Sequence, residues 1–211
     1  MNGARAERIE AVVAGVVRQA VADAGAAGVI VLDGDTPEGR LLLAWSVRCL
    51  GRERVWGVEP AAGWQEAEHR SDTHREELMR AAARVTARER NGLVLHPANK
   101  TALLLGNVFP PEPVLPFGDL YASACDRLAG GWTAPAAVRA LVEQAGGIAA
   151  VDEALEALFE RRIAVQRAVE HLPECARSII LQQLELGRFW RRRAGLVPKL
   201  GTRTLGIDLM G

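Results

Sequence analysis

Residues 28–46 constrain the fold more than any other stretch of this 211-residue chain. An apolar, β-branched run over residues 29–32 is typical of a buried strand in a parallel sheet. A turn-rich loop follows over residues 33–39, and the apolar residues after it have the spacing of a helix that packs on a sheet. A strand, a tight loop and a helix in this order direct backbone N–H groups at a phosphate.

Strands and helices alternate over the first 130 residues. The predicted strands cover residues 29–32, 55–58 and 92–96, and the predicted helices cover 4–24, 39–50, about 72–90 and 122–129. This alternation predicts an α/β fold with a doubly wound parallel sheet and right-handed crossovers. Ligands of such sheets bind at the carboxyl ends of the strands, which here are the loops at 33–39 and 59–71 and the segment 96–101. The apolar stripe of the helix at 72–90 is expected to be Leu78, Met79, Ala82, Ala83 and Val85.

The second half of the chain is predicted to be mostly helical. We expect a single domain over residues 1–211, with an α/β core over 1–130 and a helical part with a basic tail over 131–211. Thr133 is expected to cap the first of these helices, with Pro135 in its first turn. The surplus of apolar helical positions over residues 134–187 predicts a homodimer that is formed through helices.

Composition excludes several classes of protein. The formal net charge is zero, so no overall field attracts nucleic acid or an anionic membrane. The aromatic and basic cluster at 188–193 is therefore not expected to bind nucleic acid, although aromatic side chains can stack on bases. No apolar run approaches the roughly 18–20 residues of a membrane span, and residues 4–24 form an amphipathic pattern rather than a signal sequence.

The three cysteines, Cys49, Cys125 and Cys175, stand far apart. They form no CxxC pair, no metal-ligand spacing and no even set for disulfides, which indicates a reducing cytoplasm. Each of them is expected to be a small core residue.

Two short motifs follow the third predicted strand. Asn99-Lys100-Thr101 comes directly after it, and Asp119-Leu120-Tyr121 precedes the helix at 122–129. In this order they resemble the ammonia-dependent NAD synthetases, which carry GTGNK(S/T)E after a strand and DLYK before a helix. The stretch from Phe189 to Ile207 is similar to the basic tail of that family. The resemblance implies an adenine nucleotide α-hydrolase-like fold of the ATP-pyrophosphatase type, a homodimer, and ATP with magnesium if the protein is active.

The resemblance also implies positions that bind an adenine nucleotide or dinucleotide. These are Asp33, Gly34, Asp35, Thr36, Asn99, Lys100, Thr101, Asp119, Arg191, Arg192 and Lys199. No residue is assigned a catalytic or a metal-binding role.

Several of these positions have a purely structural alternative. Asp33 and Asp35 either recruit magnesium or form a capped turn, and Asn99 either binds a ligand or caps the helix after it. Asp119 is expected to be the N-cap of a helix over residues 120–129. His96 is expected to end its strand rather than act as a base, because no Ser or Cys partner stands nearby.

The departures from the family pattern concern the residues that handle charge. In the family's SGGxDS loop, Asp35 replaces a glycine, Pro37 the aspartate and Glu38 the last serine. Ala102 stands at the metal-binding glutamate and Ala122 at the lysine of DLYK. Glu77 and Met79 stand where the family has arginines.

These departures predict an NAD synthetase homologue with a degenerate active site. Asp33, Asp35 and Glu38 put carboxylates where a phosphate belongs, and like charges at about 4 Å cost on the order of 1–4 kcal/mol. We expect the protein to serve as a nucleotide-binding or dimer-partner protein. The alternative is a divergent but active ATP-dependent amide ligase or adenylating enzyme.

Overall fold

The computed structural model describes residues 3–32, 35–58, 72–105, 114–191 and 196–200. Within these ranges, the side chains of residues 72–76, 136–137 and 186–191 are not described. Several predictions therefore fall outside the described residues, namely those on Asp33, Gly34, Arg192, the loop at 60–71, the tail after Leu200 and the side chain of Arg191.

The helices and strands of the described ranges follow the predicted order. The strands are β1 (Gly28–Val31), β2 (Val55–Gly57) and β3 (Gly92–Leu95). The helices are α1 (Gly3–Asp23), α2 (Pro37–Leu50), α3 (Asp72–Arg90), α4 (Lys100–Leu104), α5 (Ala122–Ala129), α6 (Ala136–Gln144), α7 (Ile148–Phe159), α8 (Val165–Ala168) and α9 (Glu174–Arg191). A short 3-10 turn over Arg52–Arg54 leads into β2. The strands and helices predicted for the first 130 residues are confirmed to within two residues.

The three strands form a parallel sheet in the order β2-β1-β3. Val29 of the central strand pairs with Val55 on one side and with Leu93 on the other. Isolated parallel bridges continue the sheet beyond β3, from Leu95 to Val114 and from Val114 to Leu196. The chain therefore moves outward from β1 to β2 and then crosses back to β3, and the carboxyl ends of β1 and β3 lie side by side.

Helices cover both faces of this sheet. Val29 and Val31 pack with residues of α1 and α2, whereas Ile30 and Leu32 pack with Ala83 of α3. All four of these strand residues are at most 1% exposed. Burial on both faces explains why β1 is a continuous apolar run rather than an alternating one.

The predicted apolar stripe of α3 is wrong at two positions. Leu78 is 37% exposed and Val85 is 55% exposed, whereas the buried face carries Arg80, Ala83 and Ala87. The three buried positions share one side of the helix, and Leu78 and Val85 lie on the opposite side. The small alanines allow α3 to lie close to the sheet, so side-chain size, and not apolar character alone, selects the face that packs.

The helices of the second half form a cluster of their own with α4. Leu104, Leu141, Leu155 and Ile180 are fully buried in it. Residues 148–168, which lie in the half predicted to be mostly helical, are divided into α7 and α8.

Thr133 does not cap α6, contrary to the prediction. Pro135 occupies the N-cap position, and its carbonyl oxygen accepts hydrogen bonds from the N–H groups of Val138 and Arg139. Proline fixes a backbone φ that suits the entry to a helix, so α6 begins directly after it.

The cysteines occupy three different environments. All three are free thiols, with Cys125 buried, Cys49 half-buried and Cys175 exposed on α9. The prediction of a core position is wrong for Cys175, because the buried side of α9 passes through Ala176 and Ile180 instead. In the part of the chain that the structure describes, no helix combines the length and the apolar character that a membrane crossing requires.

Candidate functional site

The carboxyl edge of the sheet is formed by the residues that follow β1 and β3 and by the chain segments that extend the sheet. After β1, Thr36 caps α2, because its hydroxyl oxygen accepts a hydrogen bond of 3.0 Å from the N–H of Gly39. Pro37 occupies the first turn of the helix. The side chain of Asp35 is exposed, and its backbone carbonyl accepts a hydrogen bond from Arg40. Thr36 therefore caps α2, and the choice between a magnesium site and a capped turn for Asp33 and Asp35 stays a prediction.

His96 lies directly after β3 and is 5% exposed. Its Nδ1 accepts a hydrogen bond of 2.9 Å from the N–H of Ala98, and its Nε2 lies 3.2 Å from Nη2 of the buried Arg80. Burial, and then the positive charge of Arg80, lower the pKa of His96 to about 3. His96 is therefore neutral at physiological pH and holds the turn at the end of the strand.

Asn99 caps α4. Its side-chain oxygen accepts a hydrogen bond of 3.0 Å from the N–H of Ala102, and Asn99 is itself 2% exposed. The sequence left two roles open for Asn99, a helix cap and a ligand contact. The structure contains the helix cap.

Lys100 is fully buried. Its Nζ donates to Oδ1 of Asp119 at 3.0 Å and to Oε1 of Glu160 at 2.5 Å. The hydroxyl of Tyr121 donates to the same oxygen of Glu160, and Nζ lies 5.3 Å from the centre of the Tyr121 ring. Burial, followed by the negative charge of Glu160, raises the pKa of Tyr121, so its hydroxyl remains a donor. We call Lys100, Asp119, Tyr121 and Glu160 the Lys100 network.

Asp119 is not the N-cap of α5, contrary to the prediction. That helix begins at Ala122, and Tyr121 stands at its N-cap without a side-chain cap bond. One carboxyl oxygen of Asp119 accepts from Lys100 and the other accepts a hydrogen bond of 2.6 Å from the N–H of Leu200. An unpaired ammonium group in the core is more costly than an uncapped helix terminus. The Asp119 carboxylate therefore points to Lys100 and not to the N-terminus of α5.

The N-terminus of α5 is instead capped by residues from two other helices. The N–H of Ala122 donates to Oγ1 of Thr101, and the N–H of Ser123 donates to Oδ2 of Asp152 on α7. Thr101 in turn donates its hydroxyl hydrogen to the other oxygen of Asp152. Burial raises the pKa of Asp152, although the hydrogen bonds from Thr101 and Ser123 act in the opposite direction. Thr101, a predicted binding residue, therefore connects three helices.

The two family positions that are alanine in this chain are enclosed by the core. Ala102 is 5% exposed within the apolar cluster of the second half, and Ala122 is fully buried. A longer charged side chain at position 102 would be placed in apolar surroundings. Across the described ranges, no group of three His, Cys, Asp or Glu side chains is arranged to hold a metal ion.

The structure brings together four of the predicted binding residues. Asn99, Lys100, Thr101 and Asp119 share one buried polar region. Asp35 and Thr36 stand at the start of α2, and Lys199 is exposed beside Leu200. Sequence reasoning missed Glu160 and Asp152, the two carboxylates that complete this region. One local signal pointed to these carboxylates, the apolar run from Ala102 to Leu105. This run predicts that Lys100, two residues before it, is buried and therefore needs a counter-charge.

The fold of the chain is shared with solved structures of NAD synthetases. The NH3-dependent NAD synthetase from Campylobacter jejuni, solved with a nitrate ion, matches with a TM-score of 0.61 and 16% identity over 90% of this chain and 96% of that one. The glutamine-dependent NAD+ synthetase from Acinetobacter baumannii, solved with ADP, matches with a TM-score of 0.46 and 14% identity over 96% of this chain and 48% of that one. No family model and no curated protein sequence matches the chain. The match to the Campylobacter jejuni protein shows that this chain has an NAD synthetase-like fold over nearly its whole length.

Proposed function

We propose that this chain is an NAD synthetase-like protein that does not carry out the ATP-driven amidation of nicotinic acid adenine dinucleotide. It serves instead as a nucleotide-binding or dimer-partner protein. The observation that carries this proposal is the burial of Lys100 between Asp119 and Glu160. We also propose that its sheet is of the doubly wound, ATP-pyrophosphatase type, since helices cover both faces of three parallel strands.

A lysine that binds a phosphate in a cleft must be able to reach it. The ammonium group of Lys100 has no exposed surface and already bonds to two carboxylates. Separating a buried ion pair costs about 3–5 kcal/mol when one partner is lost, so the lysine is held in the core. Lys100, which belongs to the family motif, is thus part of the buried core of this chain.

The loop after β1 supports the same proposal. The hydroxyl of Thr36 is used to cap α2, and Pro37 has no N–H to offer a phosphate. Glu38, in the first turn of α2, is only 7% exposed and adds a carboxylate near this helix terminus. A pyrophosphate would meet acceptors where it needs donors.

The direct test is an assay for NAD synthesis. The protein would be incubated with ATP, magnesium, ammonia and nicotinic acid adenine dinucleotide, while pyrophosphate and NAD are measured. We expect no turnover above background, because removal of each electrostatic contributor costs about 10²–10³ in rate. Turnover above about 0.1 per second, within the reach of ordinary enzymes, would refute the proposal.

The second candidate is an active but divergent ATP-dependent amide ligase. The match to the Campylobacter jejuni NAD synthetase over 90% of this chain and 96% of that one favours it, since a domain that had lost all function would be free to lose segments. ATP and magnesium would then be its cofactors. Calorimetry with ATP, ADP and nitrate, each with and without magnesium, measures whether a nucleotide binds. Release of pyrophosphate from ATP and magnesium in the presence of a carboxylate substrate that accepts the adenylyl group would favour the ligase.

We further propose a homodimer formed through helices of residues 134–187. Leu181 on α9 is 42% exposed, an apolar side chain on the solvent side of a long helix. Light scattering at micromolar concentration is expected to give twice the mass of the chain, and Leu181→Asp is expected to reduce it. A monomer at that concentration would contradict the proposal.

The three free cysteines are the reason to propose a cytoplasmic location, which cell fractionation tests.

A further inference from the structure

A cavity of about 420 Å³ lies along β2, which is the last described strand on its side of the sheet. Its walls are β2 with the turn before it and the last turn of α3. The volume lies within the range of about 300–1,000 Å³ that is usual for small-molecule sites. None of its lining residues belongs to the Lys100 network, so it is separate from the carboxyl edge described above.

The aromatic wall of this cavity is held in place. The indole ring of Trp56 extends over the amino ends of β1 and β3, where a Cβ at Gly28 would come within 2.9 Å of its Cη2 atom and a Cβ at Gly92 within 3.2 Å of its Cζ3 atom. The guanidinium carbon of Arg90 lies 5.3 Å from the centre of the same ring. The two glycines leave room for the indole, and the arginine covers it.

Charges of both signs surround the cavity. The Nη1 of Arg52 donates a hydrogen bond of 3.0 Å to the carbonyl oxygen of Val55, and Arg90 is held by the indole. Glu53 and Glu89 also line the cavity, and neither carboxylate bonds to a residue in the described part of the chain. Both guanidinium groups are thus pre-positioned, and among the described residues neither carboxylate has a donor of its own.

We propose that this cavity, which we call the β2-edge pocket (Arg52, Glu53, Trp56, Thr86, Glu89 and Arg90), binds a small zwitterion of amino-acid or dipeptide size. An anion alone would meet two carboxylates, and a cation alone would meet two guanidinium groups. A molecule with an ammonium group and a carboxylate satisfies both pairs at once. The proposal is independent of the proposed function, because the pocket lies apart from the carboxyl edge.

Nuclear magnetic resonance of the indole N–H groups provides the test. The chain has five tryptophans, and Trp56→Phe identifies the signal of Trp56. The probe is glycylglycine, a zwitterion at neutral pH, titrated to about 10 mM, with acetate and ethylammonium as probes of a single charge. We expect a saturable shift of the Trp56 signal with glycylglycine and none with either single-charge probe.

Matched variants distinguish binding in the pocket from a general effect of solutes. Glu89→Gln and Arg90→Gln are each expected to weaken binding about fivefold, which corresponds to an exposed ion pair at its strongest. Arg88→Gln, in the same exposed turn of α3 but outside the pocket, should leave binding unchanged. Thr86→Phe places an aromatic ring inside the cavity and should weaken binding, whereas Val85→Phe on the exposed side of the helix should not.

The thermal midpoint of each variant is measured first, so that only folded variants are compared. The absence of a saturable shift in the wild-type protein would overturn the proposal. So would an equal shift with acetate, which would make the site a simple anion site, or an unchanged shift in Thr86→Phe.

Discussion

The carboxyl edge of the sheet and the β2-edge pocket both carry charged side chains but use them differently. Lys100 and Asp119 are buried, Glu160 is half-buried, and the three groups pair with one another, whereas Glu53 and Glu89 are exposed and bond to no described residue. A buried charge that lacks its partner lowers the free energy of unfolding by several kcal/mol, whereas an exposed charge remains hydrated. The charges at the carboxyl edge are therefore paired within the fold, whereas the two pocket carboxylates have no partner among the described residues, as the proposed zwitterion site requires.

The largest expected loss of stability comes from replacing Lys100 at the carboxyl edge. Lys100→Met preserves the volume of the side chain but leaves Asp119 and Glu160 in the core without a counter-charge. We expect a loss of about 3–5 kcal/mol in the free energy of unfolding. Urea unfolding followed by circular dichroism measures it.

The chain supplies a matched control, because its other lysine, Lys199, is exposed. Lys199→Met should change the free energy of unfolding by no more than about 1 kcal/mol, as for a surface charge. If the two variants were equally stable, the Lys100 network would not be a stabilising element, and the lysine would again be a candidate for ligand binding.

A second prediction concerns the amino ends of the strands beneath the pocket. A Cβ at Gly28 would overlap the backbone carbonyl oxygen of Arg54 and crowd the Trp56 ring, so neither neighbour can yield easily. Gly28→Ala should destabilise the protein by about 1–3 kcal/mol through overpacking.

Gly15→Ala on α1 is the control for Gly28→Ala. No described atom lies within 4 Å of the position of its Cβ, and alanine favours a helix over glycine by about 1 kcal/mol. Chemical denaturation should therefore shift in opposite directions for the two variants. A neutral Gly28→Ala would show that the indole does not depend on the glycine beneath it.

The third prediction uses pH at the carboxyl edge. The pKa of His96 falls from its ordinary value of 6.5 to about 3 in the folded state, so its contribution to stability is present above pH 6.5 and is lost as the pH falls. Between pH 6.5 and 5 we expect a loss of about 1.5 kcal/mol in the wild-type protein that is absent in His96→Asn.

The titration of Asp152 is also relevant to this measurement. Burial raises the pKa of Asp152 in the folded state, so this group makes the protein more stable as the pH falls, but it affects both proteins equally. Identical slopes for the wild-type protein and His96→Asn would contradict the burial of a neutral imidazole.

The sequence predicted the α/β core because its signals are local. The apolar run of β1 and the loop before α2 are complete within about ten residues, and burial on both faces of the sheet makes the run continuous. The face of α3 was predicted wrongly, since its packing depends on the space that the sheet leaves and not on the pattern of the helix alone.

The polar core could not be predicted in the same way. Glu160 is 60 residues from Lys100, and Asp152 is 51 residues from Thr101. No spacing rule connects a buried charge to a partner on another helix. The motif singled out Lys100, but the chemical surroundings of that lysine depend on the packing of α4, α5 and α7.

The smallest expected effect on stability concerns the two carboxylates of the β2-edge pocket. Glu53→Gln and Glu89→Gln remove carboxylates that bond to no described residue, so each should change the free energy of unfolding by less than about 0.5 kcal/mol. Glu160→Gln makes the same chemical change in the Lys100 network, where the charge neutralises a buried ammonium group, and should cost several times more. Parallel urea titrations of the three variants measure this difference. If Glu89→Gln cost as much as Glu160→Gln, the pocket carboxylate would be part of the fold, and the inference that it is available to a zwitterion would fail.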